Sequence, residues 1–195
     1  FWLSYTNFKL KAVLETLISM PLVLPPTVIG FYLLVLFSPR NAIGELMNNY
    51  LGLDLLFSFK GLVFASAIYS MPFMVNPIKA GIKSLPTTFL ETSYVLGKSR
   101  IITIIKVVLP NIKPSIITAL VMTFAHTIGE FGVVLMIGGN IPGRTRVASI
   151  AIYDQVESLN YGSANTYSLI LIGLSFSILL AVFLFNDRNL NRVLP

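Results

Sequence analysis

Apolar residues in this chain gather into blocks instead of alternating with polar ones, and four blocks are long. They cover residues 17–37, 61–78, 115–137 and 166–185. A helix needs roughly 20 mainly apolar residues to cross about 30 Å of hydrocarbon, and each block is near that length. They exceed what the core of a water-soluble domain would require. The pattern predicts an all-α, polytopic membrane protein with one transmembrane domain over residues 1–195. Phe1-Trp2-Leu3 reads as the end of an earlier, truncated membrane helix, so about five to six helices are expected in all.

Composition agrees. Hydrophobic residues make up 55% of the 195 residues, charged residues 11%, where a soluble domain carries about a quarter. A disordered chain, a nucleic-acid module and an ordinary cytosolic enzyme are excluded. The net charge of +6 therefore reports on loops, not on nucleic acid. Segment 79–113 holds Lys79, Lys83, Lys98, Arg100, Lys106 and Lys113; segment 38–60 has only Arg40 and Lys60, and segment 138–165 only Arg144 and Arg146. Lys9 and Lys11 precede the first block, and Arg188 and Arg192 follow the last. Threading four spans alternately places the three basic segments on one side, which the positive-inside rule makes cytoplasmic. The C-terminus falls on that side too.

Chemistry within the chain is sparse. There is no Cys and a single His, so neither a disulfide nor a metal-ligand cluster is expected. No G-x-x-x-x-G-K-[ST] loop occurs, so the chain is not expected to hydrolyse ATP. No catalytic residue and no cofactor is assigned.

The basic loop 86–110 has an organisation of its own. Thr88 and Glu91 stand at capping-box spacing, which predicts a short helix beginning near Phe89. Gly97 is expected to end it. A second short helix over residues 100–108 would carry Ile101, Ile104, Ile105 and Val108 on one face and stop at Pro110. Composition alone also allows an amphipathic pair lying on lipid.

Glu91-Thr92-Ser93, three residues, Gly97, nine residues and Val107-Val108-Leu109-Pro110 resemble the EAA loop of ABC importer permeases. That loop reads Glu-Ala-Ala, three residues, Gly, nine residues, Ile-x-Leu-Pro. Residues 21–30, Ser70-Met71-Pro72-Phe73-Met74-Val75, Gly129-Glu130-Phe131-Gly132 and residues 138–145 resemble molybdate-type permeases in particular. The Gly-Glu-Phe-Gly element is shared with sulfate permeases. The resemblance implies the permease subunit of an ATP-driven importer for molybdate or tungstate in a prokaryotic inner membrane, with a sulfate or thiosulfate permease as the alternative. It further implies a homodimer, a cytoplasmic ATPase subunit docking on Thr88, Glu91, Thr92, Ser93, Gly97 and Pro110, and an external oxyanion-binding protein.

Within the spans, Pro25 and Pro26 free backbone carbonyls that lipid cannot satisfy, which suits a kink facing a path or a purely structural bend. Thr123, His126, Thr127 and Glu130 form a polar stripe at helical spacing. Such groups usually face a cavity or a partner. An ionised Glu130 would repel a dianion, so it reads as a structural or gating residue. His126 is expected in a helix–helix hydrogen bond; a proton relay with Glu130, as in an ion-coupled secondary transporter, is the weaker reading. Pro25, Pro26, Thr123, Thr127 and Glu130 are thus the candidate path or gate. Arg144 and Arg146 are candidates for the outer mouth or a binding-protein contact, against plain solvated charge.

Overall fold

The computed structural model describes residues 1–6 and 8–190, and every regular element among them is helical. In chain order these are α1 (Trp2–Tyr5), α2 (Lys11–Ser19) with a 3-10 turn at Met20–Leu22, α3 (Pro26–Phe37) and α4 (Ala42–Leu51). Then come α5 (Phe59–Ser84), α6 (Thr87–Val95), α7 (Arg100–Thr103), a π turn at Ile104–Val108, α8 (Leu109–Asn111) and α9 (Lys113–Ile128). The last are α10 (Gly132–Gly138), α11 (Ala148–Glu157) and α12 (Tyr161–Leu190). The polytopic all-α class is as the sequence predicts. Arg192 lies outside the described residues.

Among the described residues, two helices are long and apolar enough to cross a bilayer alone: α5, and α12 from Tyr161 to Leu184. The 26 residues of α5 reach about 39 Å at 1.5 Å each. Ser58 caps its start, accepting from the Gly61 N–H at 3.1 Å. Two more segments have the length only as bent pairs, Lys11–Leu22 with Pro26–Phe37 at 115° and Arg100–Asn111 with Lys113–Ile128 at 75°. Counting each pair as one span gives up to four among the described residues, but the second pair takes in residues 100–111, which the sequence reading assigns to the loop, and leaves out residues 129–137.

Two of the expected spans are therefore broken. Block 17–37 is not one kinked helix, because Pro25 is extended (φ −55°, ψ 139°) and Pro26 begins α3. A proline forces the residue before it out of the α region, so tandem prolines end one helix and start another. Block 115–137 stays helical only to Ile128; residues 129–131 break it before α10. The second block is longer than expected. Helix α5 runs on to Ser84, putting Lys79 and Lys83 on a helix, and Lys79 Nζ pairs with Glu15 of α2 at 2.8 Å.

The main core lies where α3, α5 and α10 meet, around Leu33, Phe37, Ala65, Tyr69, Val133 and Ile137. Small residues allow the approach. A Cβ on Gly132 would stand 2.8 Å from Pro26 Cβ, and one on Gly30 2.8 Å from Met136 Cβ. Helix α12 is different: none of its apolar window is buried by the rest of the chain. In water each such side chain would forgo about 1.5–3 kcal/mol of burial, whereas in lipid the exposure carries no such cost.

Candidate functional site

Two places gather most of the residues singled out by sequence: an elbow at α6–α7, and a cavity between α5, α9 and α10.

In the elbow, α6 begins at Thr87 with Pro86 as its N-cap, and no side chain caps it. The expected capping box of Thr88 and Glu91 is absent; both residues are exposed. Proline at the N-cap starts the helix without a hydroxyl, since its fixed φ is compatible with helix entry. Gly97 ends α6 as expected, at φ +70°, with its N–H bonded to Tyr94 O and the Lys98 N–H to Ser93 O. Ser93 is buried, and its hydroxyl meets Thr103 Oγ1 at 2.8 Å; Thr103 also donates to Ser99 O at 3.0 Å. This bolt ties α6 to α7. Ser93 is thus turned inward, while Glu91 and Thr92 face outward.

Pro110 does not stop the second helix, which passes through it to Asn111. The π turn at Ile104–Val108 shifts the ladder, with the Leu109 N–H bonding to Ile104 O. A widened turn of this kind accommodates the proline's missing donor. The apolar face also differs from expectation. Val108 is buried, with Leu90, Ile82 and Ile112, but Ile101 and Ile105 are exposed. Together with Val95 and Leu96, at 87% and 68% exposure, they leave the elbow with an uncovered apolar tip.

The cavity has a volume of about 590 Å³ and brings together Ser66 and Ser70 of α5, Thr123 and Thr127 of α9, and Glu130 from the break. A second cavity of about 470 Å³ is lined by Pro26, Tyr69, His126 and Glu130. Glu130 therefore stands between the two, only 5% exposed. Of the five path candidates, Thr123, Thr127 and Glu130 share the first cavity, Pro26 joins Glu130 in the second, and Pro25 lines neither.

The polar partners there are few. Ser70 Oγ and Thr127 Oγ1 bond at 2.9 Å across α5 and α9. Both carboxylate oxygens of Glu130, Thr123 Oγ1 and His126 Nε2 are buried with no hydrogen-bond partner among the described residues. His126 makes neither of the contacts expected of it, a helix–helix hydrogen bond or a relay to Glu130. It stacks instead on Phe73, centroids 4.0 Å apart, with Tyr69 at 4.8 Å. An imidazole flanked by two rings on α5 is held by its faces, not by its nitrogens.

The break itself is anchored from outside the stripe. Ser149 of α11 donates its hydroxyl to Glu130 O at 2.6 Å, and Phe131 packs on Tyr153 at 4.9 Å. A carbonyl freed by a broken helix needs such a partner. On the same side, Arg146 reaches Asp154 at 3.3 Å and Asn140 at 2.9 Å, and Asn140 donates to Asp154. Arg146 is thereby tied to Asn140 of its own loop and to Asp154 of α11. Arg144 is exposed with no side-chain bond among the described residues. Thr145, fully buried, ties Gly138 O to the Ile141 N–H.

Sequence reasoning missed Ser149, Thr145, Asn140 and Asp154. Only Asn140 and Thr145 lay within a quoted motif, and the pairing of Asp154 with Asn140 spans 14 positions. Tyr153 illustrates the polarity of α11: its phenol donates to Glu157, which raises its pKa above the ordinary value.

Comparison with known proteins adds the family. The family described as binding-protein-dependent transport system inner membrane component matches residues 1–192. The molybdenum transport system permease protein ModB of Azotobacter vinelandii is 44% identical over 183 residues, 93% of this chain and 80% of that one. ModB of Escherichia coli K12 is 36% identical over 152 residues, 78% of this chain and 66% of that one. The sulfate transport system permease protein CysT of Salmonella typhimurium is more distant, 28% identical over 187 residues, 96% of this chain and 67% of that one. With a match spanning nearly every residue and a helical, lipid-facing fold, the chain belongs to the binding-protein-dependent transport system inner membrane components.

Proposed function

We propose that this chain is the membrane-spanning permease subunit of an ATP-driven importer for molybdate or tungstate. The observation that carries the reading is the 44% identity to a molybdenum transport permease across 93% of the chain. Sulfate is the second reading, favoured by the sulfate permease at 28% identity.

The elbow at α6–α7 is the docking site for a cytoplasmic ATPase subunit. Its uncovered Val95, Leu96 and Ile101 supply an apolar tip, Glu91 and Thr92 face outward beside it, and the Ser93–Thr103 bolt makes it stiff enough to transmit a push. ATP-driven closure of the ATPases moves the elbow as a rigid body, and the spans follow. Elbow and C-terminus lie in the cytoplasm, while Arg144 faces an external oxyanion-binding protein. Two copies meet about a two-fold axis, because one copy offers too few spans to enclose a hydrated dianion. Pro26 and Thr127, both exposed in a single copy, line the path between them, with Glu130 buried behind them as a gating residue.

The test is purification with the partner ATPase and binding protein, followed by ATP hydrolysis and uptake with molybdate, tungstate and sulfate in turn. Stimulation by molybdate or tungstate is expected. Stimulation by sulfate alone would transfer the assignment to the second reading, and dependence on an ion gradient without ATP would refute both.

A further inference from the structure

Helix α4 carries an apolar stripe that the rest of the chain leaves bare. Asn41 caps its start by accepting from the Ile43 N–H at 3.1 Å, and Gly52 ends it at φ +60°. At about 100° per residue, its side chains fall into three sectors. Gly44 and Met47 face inward: a Cβ on Gly44 would collide with Ser38 O, and Met47 packs on the main core. Glu45, Asn48 and Asn49 form a polar sector. Ile43, Leu46 and Tyr50 make the third, within about 60° of one another, and all three are exposed, Tyr50 by 81%. A helix resting on protein and otherwise in water needs only an apolar and a polar sector. The third calls for a second apolar medium.

We propose that α4 is an interfacial helix, with Ile43, Leu46 and Tyr50 resting in the headgroup–acyl boundary of the lipid bilayer. Its position selects lipid as the occupant. The close approach of Gly44 to Ser38 presses α4 against the end of α3, so the stripe lies at the level where an apolar segment stops. Helix α5, a span by itself, starts at Phe59 after a linker whose Leu55 is buried in the same core. The last turns of α3 expose Tyr32 and Val35, and α5 opens with exposed Phe59 and Val63, so apolar surface continues on both neighbouring helices. The polar sector lies about 140° from the stripe, as a boundary between lipid and water demands. Tyrosine suits that level, its ring apolar and its hydroxyl wet. Helix α4 has no Lys or Arg, so attachment comes from apolar burial and not from anionic headgroups. The elbow and α4 stand at opposite ends of α5. An anchored α4 therefore holds one end of that span in depth while the elbow displaces the other. The inference requires only the membrane-spanning fold and is independent of the cargo.

The experiment uses the complete transporter, with a cysteine-free ATPase, in vesicles of phosphatidylcholine and phosphatidylglycerol. Leu46→Cys, Tyr50→Cys and Glu45→Cys are labelled in turn with a polarity-sensitive fluorophore, which reports one position because the chain has no other cysteine. Both stripe positions are exposed, so the substitutions leave the packing of α4 intact. Lipid bearing a nitroxide near the glycerol end of its acyl chain quenches from the boundary, where such helices sit about 5–10 Å deep. Iodide, present on both sides, quenches from water. Labels at positions 46 and 50 should emit to the blue of the label at 45. They should also show several-fold stronger nitroxide quenching and several-fold weaker iodide quenching. Equal iodide quenching at all three positions overturns the proposal. So does protection from iodide without nitroxide quenching, the pattern of a second copy lying on the stripe. Protection that arises only when the binding protein is added overturns it as well.

Discussion

Gly97 stands at φ +70°, and a Cβ built on it meets nothing within 4 Å. A Cβ there is therefore free of steric contact within the chain, and its cost comes from the backbone. The left-handed conformation costs an L-residue about 1–2 kcal/mol. Asn tolerates it best, through local hydrogen bonding, and a β-branched residue worst. The series Gly, Asn, Ala, Val should fall in that order. A penalty of about 1–2 kcal/mol corresponds to a roughly 5–30-fold change in population. That change falls on the turn itself, since Gly97 N–H and Lys98 N–H close α6 on Tyr94 O and Ser93 O. The spans do not feel it. The assay is co-purification of the ATPase subunit and ATP-driven uptake, measured beside the level of membrane insertion. Asn should stay near wild type, Ala should be reduced, and Val should be lowest, all with normal insertion. Wild-type docking and uptake by Gly97→Val, or equal losses in Asn and Val, would refute the reasoning.

The Ser93–Thr103 bolt should respond asymmetrically. Thr103→Val leaves buried Ser93 Oγ without its partner, at about 1–3 kcal/mol, whereas Ser93→Ala leaves Thr103 its bond to Ser99 O and costs about 1 kcal/mol; thermal unfolding of the purified complex compares them, and a costlier Ser93→Ala would contradict the geometry. Gly132→Ala forces a Cβ to within 2.8 Å of Pro26 Cβ, so overpacking of about 1–3 kcal/mol should lower the unfolding temperature, and an unchanged value would show that α3 and α10 can separate. Cysteine substitutions are clean in a chain with none; symmetric cross-links at Pro26 or Thr127 are expected from a two-fold path, and a monomer bound to one ATPase would contradict it. Since no Lys or Arg lines the Glu130 cavities, the isolated permease should bind molybdate weakly, because conduction needs loose or distributed sites; submicromolar affinity by equilibrium dialysis would reveal a cationic site elsewhere.

The sequence by itself determined the class of solvent, and with it the class of fold. Blocks of 20 or so apolar residues admit only helices in lipid, because every backbone group must bond within its own segment. It likewise marked Gly97 as a terminator, since few other residues accept that φ. Spacing placed Thr123, Thr127 and Glu130 on one stripe, and the structure puts them in one cavity. Tertiary structure decided where helices break and what the polar groups meet. Hydropathy cannot see that Pro25 and Pro26 separate two helices at 115°, since the apolar run continues unbroken through them. Nor does local pattern show that Ser93 turns inward to Thr103, or that His126 is gripped by Phe73 and Tyr69. Those contacts depend on how α5 packs against α9 and how α6 folds back on α7. The bond from Ser149 to Glu130 O joins positions 19 apart, and only the fold brings them together, because a carbonyl freed at the break needs whichever hydroxyl packing delivers.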